Sequence, residues 1–107
     1  MAAEVVPLRR PKPLPPTRTE LIQRVRVLAR DSDNMQLPHP HLKMRMGQRG
    51  ISMRQILETV RMGECVSGPT LDQFGDWRMK LKRVVAGRRV HVVVAIGEKN
   101  FAVVTVI

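Results

Sequence analysis

The apolar residues of this chain change their spacing once, from a helical repeat to strand alternation. That restricts the chain to folds with helices first and a sheet after. In the last third, Trp77, Met79 and Leu81 alternate with Arg78, Lys80 and Lys82, which describes a strand with one buried and one cationic face. Ala86-Gly87 turns the chain, Val90 to Ile96 is nearly continuous and β-branched as in a central strand, and Gly97 to Asn100 turns it again. Phe101 to Ile107 completes a meander, and a short strand is expected at Cys65–Ser67. An apolar strand at the end of a chain needs cover. It is expected either to lie inside the sheet or to be covered by a second copy, a homodimer through the C-terminal strand.

The helical part divides at its caps. Thr17 with Glu20 three residues on is a capping-box pattern, and Leu21, Val25 and Leu28 form a stripe that Ile22 and Ala29 widen. Asp31 to Asn34 ends that helix. Pro38 and Pro40 introduce a second helix over residues 40–48, closed by Gly50. Ser52, with Gln55 in the capping-box position, opens a third helix with Met53, Ile56, Leu57 and Val60 inward, and Gly63 is read as its left-handed C-cap. The expected fold is α+β, three helices packed on a three- to four-stranded antiparallel sheet. Residues 1–17 stand apart. Five of the eight prolines fall within the first sixteen residues, so this stretch reads as an extended, solvated, proline-rich flexible arm before a single domain over 18–107.

Charge narrows the partners. Lys and Arg number 19 against 9 Asp and Glu, a formal net charge of +10 that is not confined to the arm. A small basic domain seeks a polyanion: RNA, DNA, an anionic membrane or an acidic protein. The apolar runs are too short to span a bilayer and the N-terminus lacks an apolar stretch of signal-peptide length, so a cytoplasmic protein with no membrane partner is expected. One cysteine, Cys65, excludes an internal disulfide framework and a multi-cysteine zinc site. His39 and His41, with only His91 and Cys65 as further soft ligands, fall short of a complete metal site, and no cofactor motif is present.

The richest constellation is His41, Arg45 and Arg49, at i, i+4 and i+8, which sets an imidazole and two guanidinium groups in a row on one helical face. Leu42, Met46 and Ile51 pack inward beside it. Two arginines so placed repel, so they answer to an anion: a carboxylate of the fold, which would make them braces, or a phosphate. Arg78, Lys80, Lys82 and Arg88 supply a further cationic face for nucleic acid.

His41-x-x-x-Arg45-Met46-x-x-Arg49-Gly50-Ile51-Ser52, followed by a helix ending at Gly63, then Trp77-Arg78 and a β-meander, resembles the domain of unknown function 4258 family over about residues 19–107. That family is grouped with RelE-like toxins and related small ribonucleases, and is frequent in bacteria, phages and mobile elements. The resemblance implies a RelE-like sheet that receives RNA, with cations stabilising charge at the scissile phosphate. If the chain is an enzyme, metal-independent RNA cleavage is expected, with His41 as base and Arg45 and Arg49 beside it. If not, the same surface binds RNA or DNA without cleavage, a reading favoured by the lack of Tyr, which several active toxins set beside their cations. Two further alternatives are a phage or mobile-element modulator that binds an acidic host protein, and an oligomerising accessory protein.

Overall fold

The computed structural model describes residues 15–37 and 40–107. The proline-rich arm therefore lies outside the described residues but for its last three positions, and so do Pro38 and His39.

Helix α1 (Arg18–Leu28) starts where Thr17 Oγ1 accepts the amide of Glu20 at 3.1 Å, and it buries Leu21 and Val25. A 3-10 turn (Ser32–Asn34) leads into a two-residue strand, β1 (Met35–Gln36). Helix α2 (His41–Arg49) ends on Gly50 in the left-handed region (φ 66°) and buries Leu42. Helix α3 (Met53–Met62) carries a complete capping box: Gln55 N donates to Ser52 Oγ at 3.2 Å, and Ser52 N donates to Gln55 Oε1 at 2.8 Å. Gly63 is not left-handed. Its backbone is extended (φ −72°, ψ 160°), and glycine is required because a Cβ there would collide with the carbonyl oxygens of Thr59 and Lys82. Close approach of helix end to strand, not positive φ, selects that residue.

Strands β2 (Glu64–Leu71), β3 (Trp77–Val85), β4 (Arg88–Ile96) and β5 (Phe101–Val106) complete a five-stranded sheet in the order β1-β5-β4-β3-β2. The sheet is mixed, which corrects the expected three- to four-stranded antiparallel arrangement: β1 runs parallel to β5, with Met35 opposite Phe101 and Gln36 opposite Ala102. Two residues cannot display an alternation, and their pairing with the end of the chain is wholly non-local. The expected strand at Cys65–Ser67 extends to Leu71. Gly68 and Pro69, both unfavourable in strand interiors, hide it, and they are tolerated because β2 is an edge strand with register shifts on either side of Ser67.

The last strand lies inside the sheet. β5 is flanked by β4 and β1, and α2 packs against it. Helices α1 and α3 cover one face of the sheet, meeting Met79, Leu81, Val90, Val92, Val94 and Ile96 in the core. The opposite face carries Arg78, Lys80, Lys82 and His91, with α2 reaching it at the end beside Arg78 and Thr105, and that asymmetry positions the candidate site.

Candidate functional site

Strand pleating sends alternate residues to opposite faces. Met79 and Leu81 of β3 are buried toward the helices, so Arg78, Lys80, Lys82 and Val84 stand on the open face. On β4, inward Val90, Val92 and Val94 leave Arg89, His91 and Val93 outward. Register then sets these residues side by side: Lys80 faces Val93, Lys82 faces His91, and Val84 faces Arg89. From the other side Glu64 pairs with Lys82, so Glu64, Lys82 and His91 form one row across three strands. Lys82 Nζ lies 3.2 Å from Glu64 Oε1.

His91 is the most distinctive group in this row. Its ring is half-buried, and Nδ1 is sealed from solvent with no hydrogen-bond partner among the described residues. Burial lowers its pKa from the ordinary histidine value, and the positive charges of Lys80, Lys82 and Arg89 lower it further. The shift favours the neutral imidazole, beside cations that attract an anion. It opens on a cleft of about 660 Å³ that Glu64, Lys82, Arg83 and Arg89 also line.

A second cleft, of about 350 Å³, lies between α2 and the sheet, where His41 and Arg45 meet Arg78 and Thr105. Arg78 Nε donates to Asp72 Oδ2 at 3.0 Å. The amide of Asp76 is the main cause holding the Asp72 carboxyl below its usual range, with Arg78 and the amide of Phe74 assisting against burial. Arg49 does not join this cleft. Eight residues along a helix advance about 12 Å, and Arg49 instead lines a depression of about 420 Å³ with Arg88 and Arg89. Neither Arg45 nor Arg49 has a side-chain hydrogen bond or ion pair among the described residues, and both are exposed.

Of the four cations expected on the sheet, Arg78, Lys80 and Lys82 share the open face. Arg88 has the parity of Val90 and turns to the helix side, where its Nη1 donates to Arg49 O at 2.9 Å and its guanidinium lies over Gly50. It closes the end of α2. Sequence reasoning missed Arg89, His91 and Glu64. The signal was present in part: Arg89 and His91 have the opposite parity to Val90, Val92 and Val94, but apolar Val93 and Ala95 disguise the alternation. Because His39 lies outside the described residues, its pairing with His41 is not described. Among the described residues no three His, Cys, Asp or Glu side chains cluster as a metal site, and no helix is long and apolar enough to cross a membrane.

The family model described as Domain of unknown function (DUF4258) matches residues 39–107. No curated protein and no solved structure matches the chain.

Proposed function

Because the chain belongs to the DUF4258 family, whose description leaves its activity open, we propose from the site itself that this is a nucleic-acid-binding domain whose open sheet face receives the phosphate backbone. One observation carries the reading: Lys80, Lys82 and Arg89 surround His91 on that face and Arg78 extends it along β3, while Glu64 is the only acidic residue in strands β2 to β5. A positive field so lightly neutralised attracts phosphates and releases their counterions. The cleft of His41, Arg45 and Arg78 extends the same surface onto α2. The protein acts in the cytoplasm, where RNA is its main polyanion.

A finer reading, in line with the resemblance to RelE-like toxins, is metal-independent RNA cleavage, and the lowered pKa of His91 among cations favours it. Nε2 of neutral His91 takes the proton of a ribose 2′-hydroxyl and the oxygen attacks the adjacent phosphorus. The bond to the 5′-oxygen breaks, water protonates the departing oxygen, and a 2′,3′-cyclic phosphate remains. Lys82 and Arg89 stabilise the charge that develops on the phosphoryl oxygens. His41, more exposed and facing the second cleft, is the competing base.

Labelled RNA and DNA oligonucleotides titrated over a range of salt test the binding reading. Expected is a steep loss of affinity with salt, shallower by about 0.7–0.9 in log–log slope for each phosphate-contacting cation removed. Salt-resistant capture of an acidic protein with no nucleic-acid binding would replace this reading with that of a host-protein modulator. For cleavage, the ends of any RNA product are analysed with chelator present: cyclic phosphate lost in His91→Gln but retained in His41→Gln is expected.

A further inference from the structure

Resting on that proposed nucleic-acid reading, we infer that the polyanion is a single-stranded polynucleotide lying lengthwise along β3, its successive phosphates on Arg78, Lys80 and Lys82 and one base stacked on Phe74 at the hairpin end. The three cations occupy alternate positions of one strand and all face the open side. Alternate residues of a strand are about 6.7 Å apart, the scale on which an extended polynucleotide repeats its phosphates. A duplex, by contrast, is a stiff cylinder that would touch this ladder at few points.

The ladder's polarity is set by what stands at its ends. Beyond Lys82, the face continues through His91 and Arg89. Beyond Arg78 comes the β2–β3 hairpin, which presents Phe74 at 73% exposure beside Leu71 at 59%. A large ring this exposed on a flexible tip would mean little, but this turn is built to hold it. Asp72 Oδ1 accepts the amides of Phe74 at 2.8 Å and Asp76 at 3.0 Å, and Asp72 N donates to Asp76 O at 2.9 Å. Gly75 takes the positive φ of 85° that the turn requires. The other oxygen of the same carboxylate holds Arg78 by its Nε, so one residue, Asp72, ties the first cation of the ladder to the turn that displays the ring. The bond through Nε leaves the terminal nitrogens of Arg78 for a phosphate. Aromatic stacking is indifferent to base identity and needs an unpaired base, which is why a basic track beside an exposed aromatic suits single strands.

The test measures anisotropy of labelled 12-nucleotide single strands, as ribose and deoxyribose versions of one sequence, against a hairpin duplex of equal phosphate number, with inorganic polyphosphate as a base-free competitor. The wild type is expected to prefer single strands over the duplex. Phe74→Ala weakens single-strand binding about tenfold, leaves polyphosphate competition unchanged, and is reversed by Phe74→Trp. Its melting temperature stays that of the wild type, because the ring is exposed. Equal affinity of both sugars makes the site a general single-strand binder; preference for ribose narrows it to RNA, and both outcomes support the inference. Preference for the duplex, or indifference to Phe74→Ala, overturns this inference alone. Failure of the wild type to bind any polyanion at low salt overturns it together with the proposed function.

Discussion

On the helix side of the sheet, arginines end on backbone carbonyls: Arg26 Nη2 on Gly63 O at 3.2 Å, Arg61 Nε on Ala29 O at 2.7 Å, Arg83 Nη1 on Met62 O at 3.3 Å and Arg88 Nη1 on Arg49 O at 2.9 Å. On the open side, Lys80 and Arg89 have no such partner among the described residues, and Lys82 and Arg78 share one carboxylate each. The lesson is that a net charge of +10 is two populations. One set of arginines satisfies carbonyls at helix ends and loop junctions, where their loss costs stability. The other remains available for a ligand, where its loss costs affinity.

Substitutions can break or sharpen that division. The largest effect on folding is expected from Ile56→Ala in the fully buried stripe of α3, about 2–5 kcal/mol in chemical denaturation. Leu57→Ala, only half-buried, is expected to cost less. Gly63→Ala follows, at about 1–3 kcal/mol, because the added methyl must displace the backbone of Thr59 or Lys82. Arg88→Ala is expected to lower stability by about 0.5–1.5 kcal/mol through the lost bond to the end of α2, with little change in the salt dependence of polyanion binding. If it instead left the melt unchanged and weakened binding, the helix-side arginines would belong with the ligand-facing set.

Acid probes the open face without any substitution. His91 has a lowered folded-state pKa, so the unfolded chain binds its proton first as pH falls. Its contribution to stability is complete above the ordinary histidine value and is lost as pH drops from there through the folded value. A polyanion on the same face favours the protonated ring, so affinity is expected to rise over the same window while stability declines. His91→Gln should flatten both trends. Asp72 acts at lower pH: its lowered pKa supports stability that is present above the ordinary aspartate range and is lost as the pH falls through its folded value. The smallest effect on folding is expected for Lys80→Ala and Arg89→Ala, within about 0.5 kcal/mol of wild type, while each lowers the salt slope of polyanion binding. A melt shifted by more than a kilocalorie would show that these two brace the fold.

Much of this molecule is legible along the chain. The caps at Thr17 and Ser52 and the inward stripe of Leu21, Val25, Ile56 and Val60 are local patterns, repeated every three to four residues, and they appear where the spacing puts them. The alternation of Trp77 to Lys82 likewise carries its own burial pattern, so three of the sheet-face cations are readable by parity. Gly63 shows the limit: its residue type was readable, but its reason was not, since the backbone it must avoid includes Lys82, far along the chain.

The sequence by itself determined that a helical part precedes a β-meander, the inward stripes of α1 and α3 and the alternation of β3, because each of these depends on neighbours within a few positions, and its composition makes the protein strongly basic. The tertiary structure alone decided which cations meet. Register brought Glu64, Lys82 and His91 into one row, and packing of α2 beside β5 parted Arg49 from His41 and Arg45. Parity within β4 turned Arg88 inward and Arg89 outward. The physical reason is that a site is a set of distances between strands, and those distances are fixed by hydrogen-bond pairing and core packing across the whole chain.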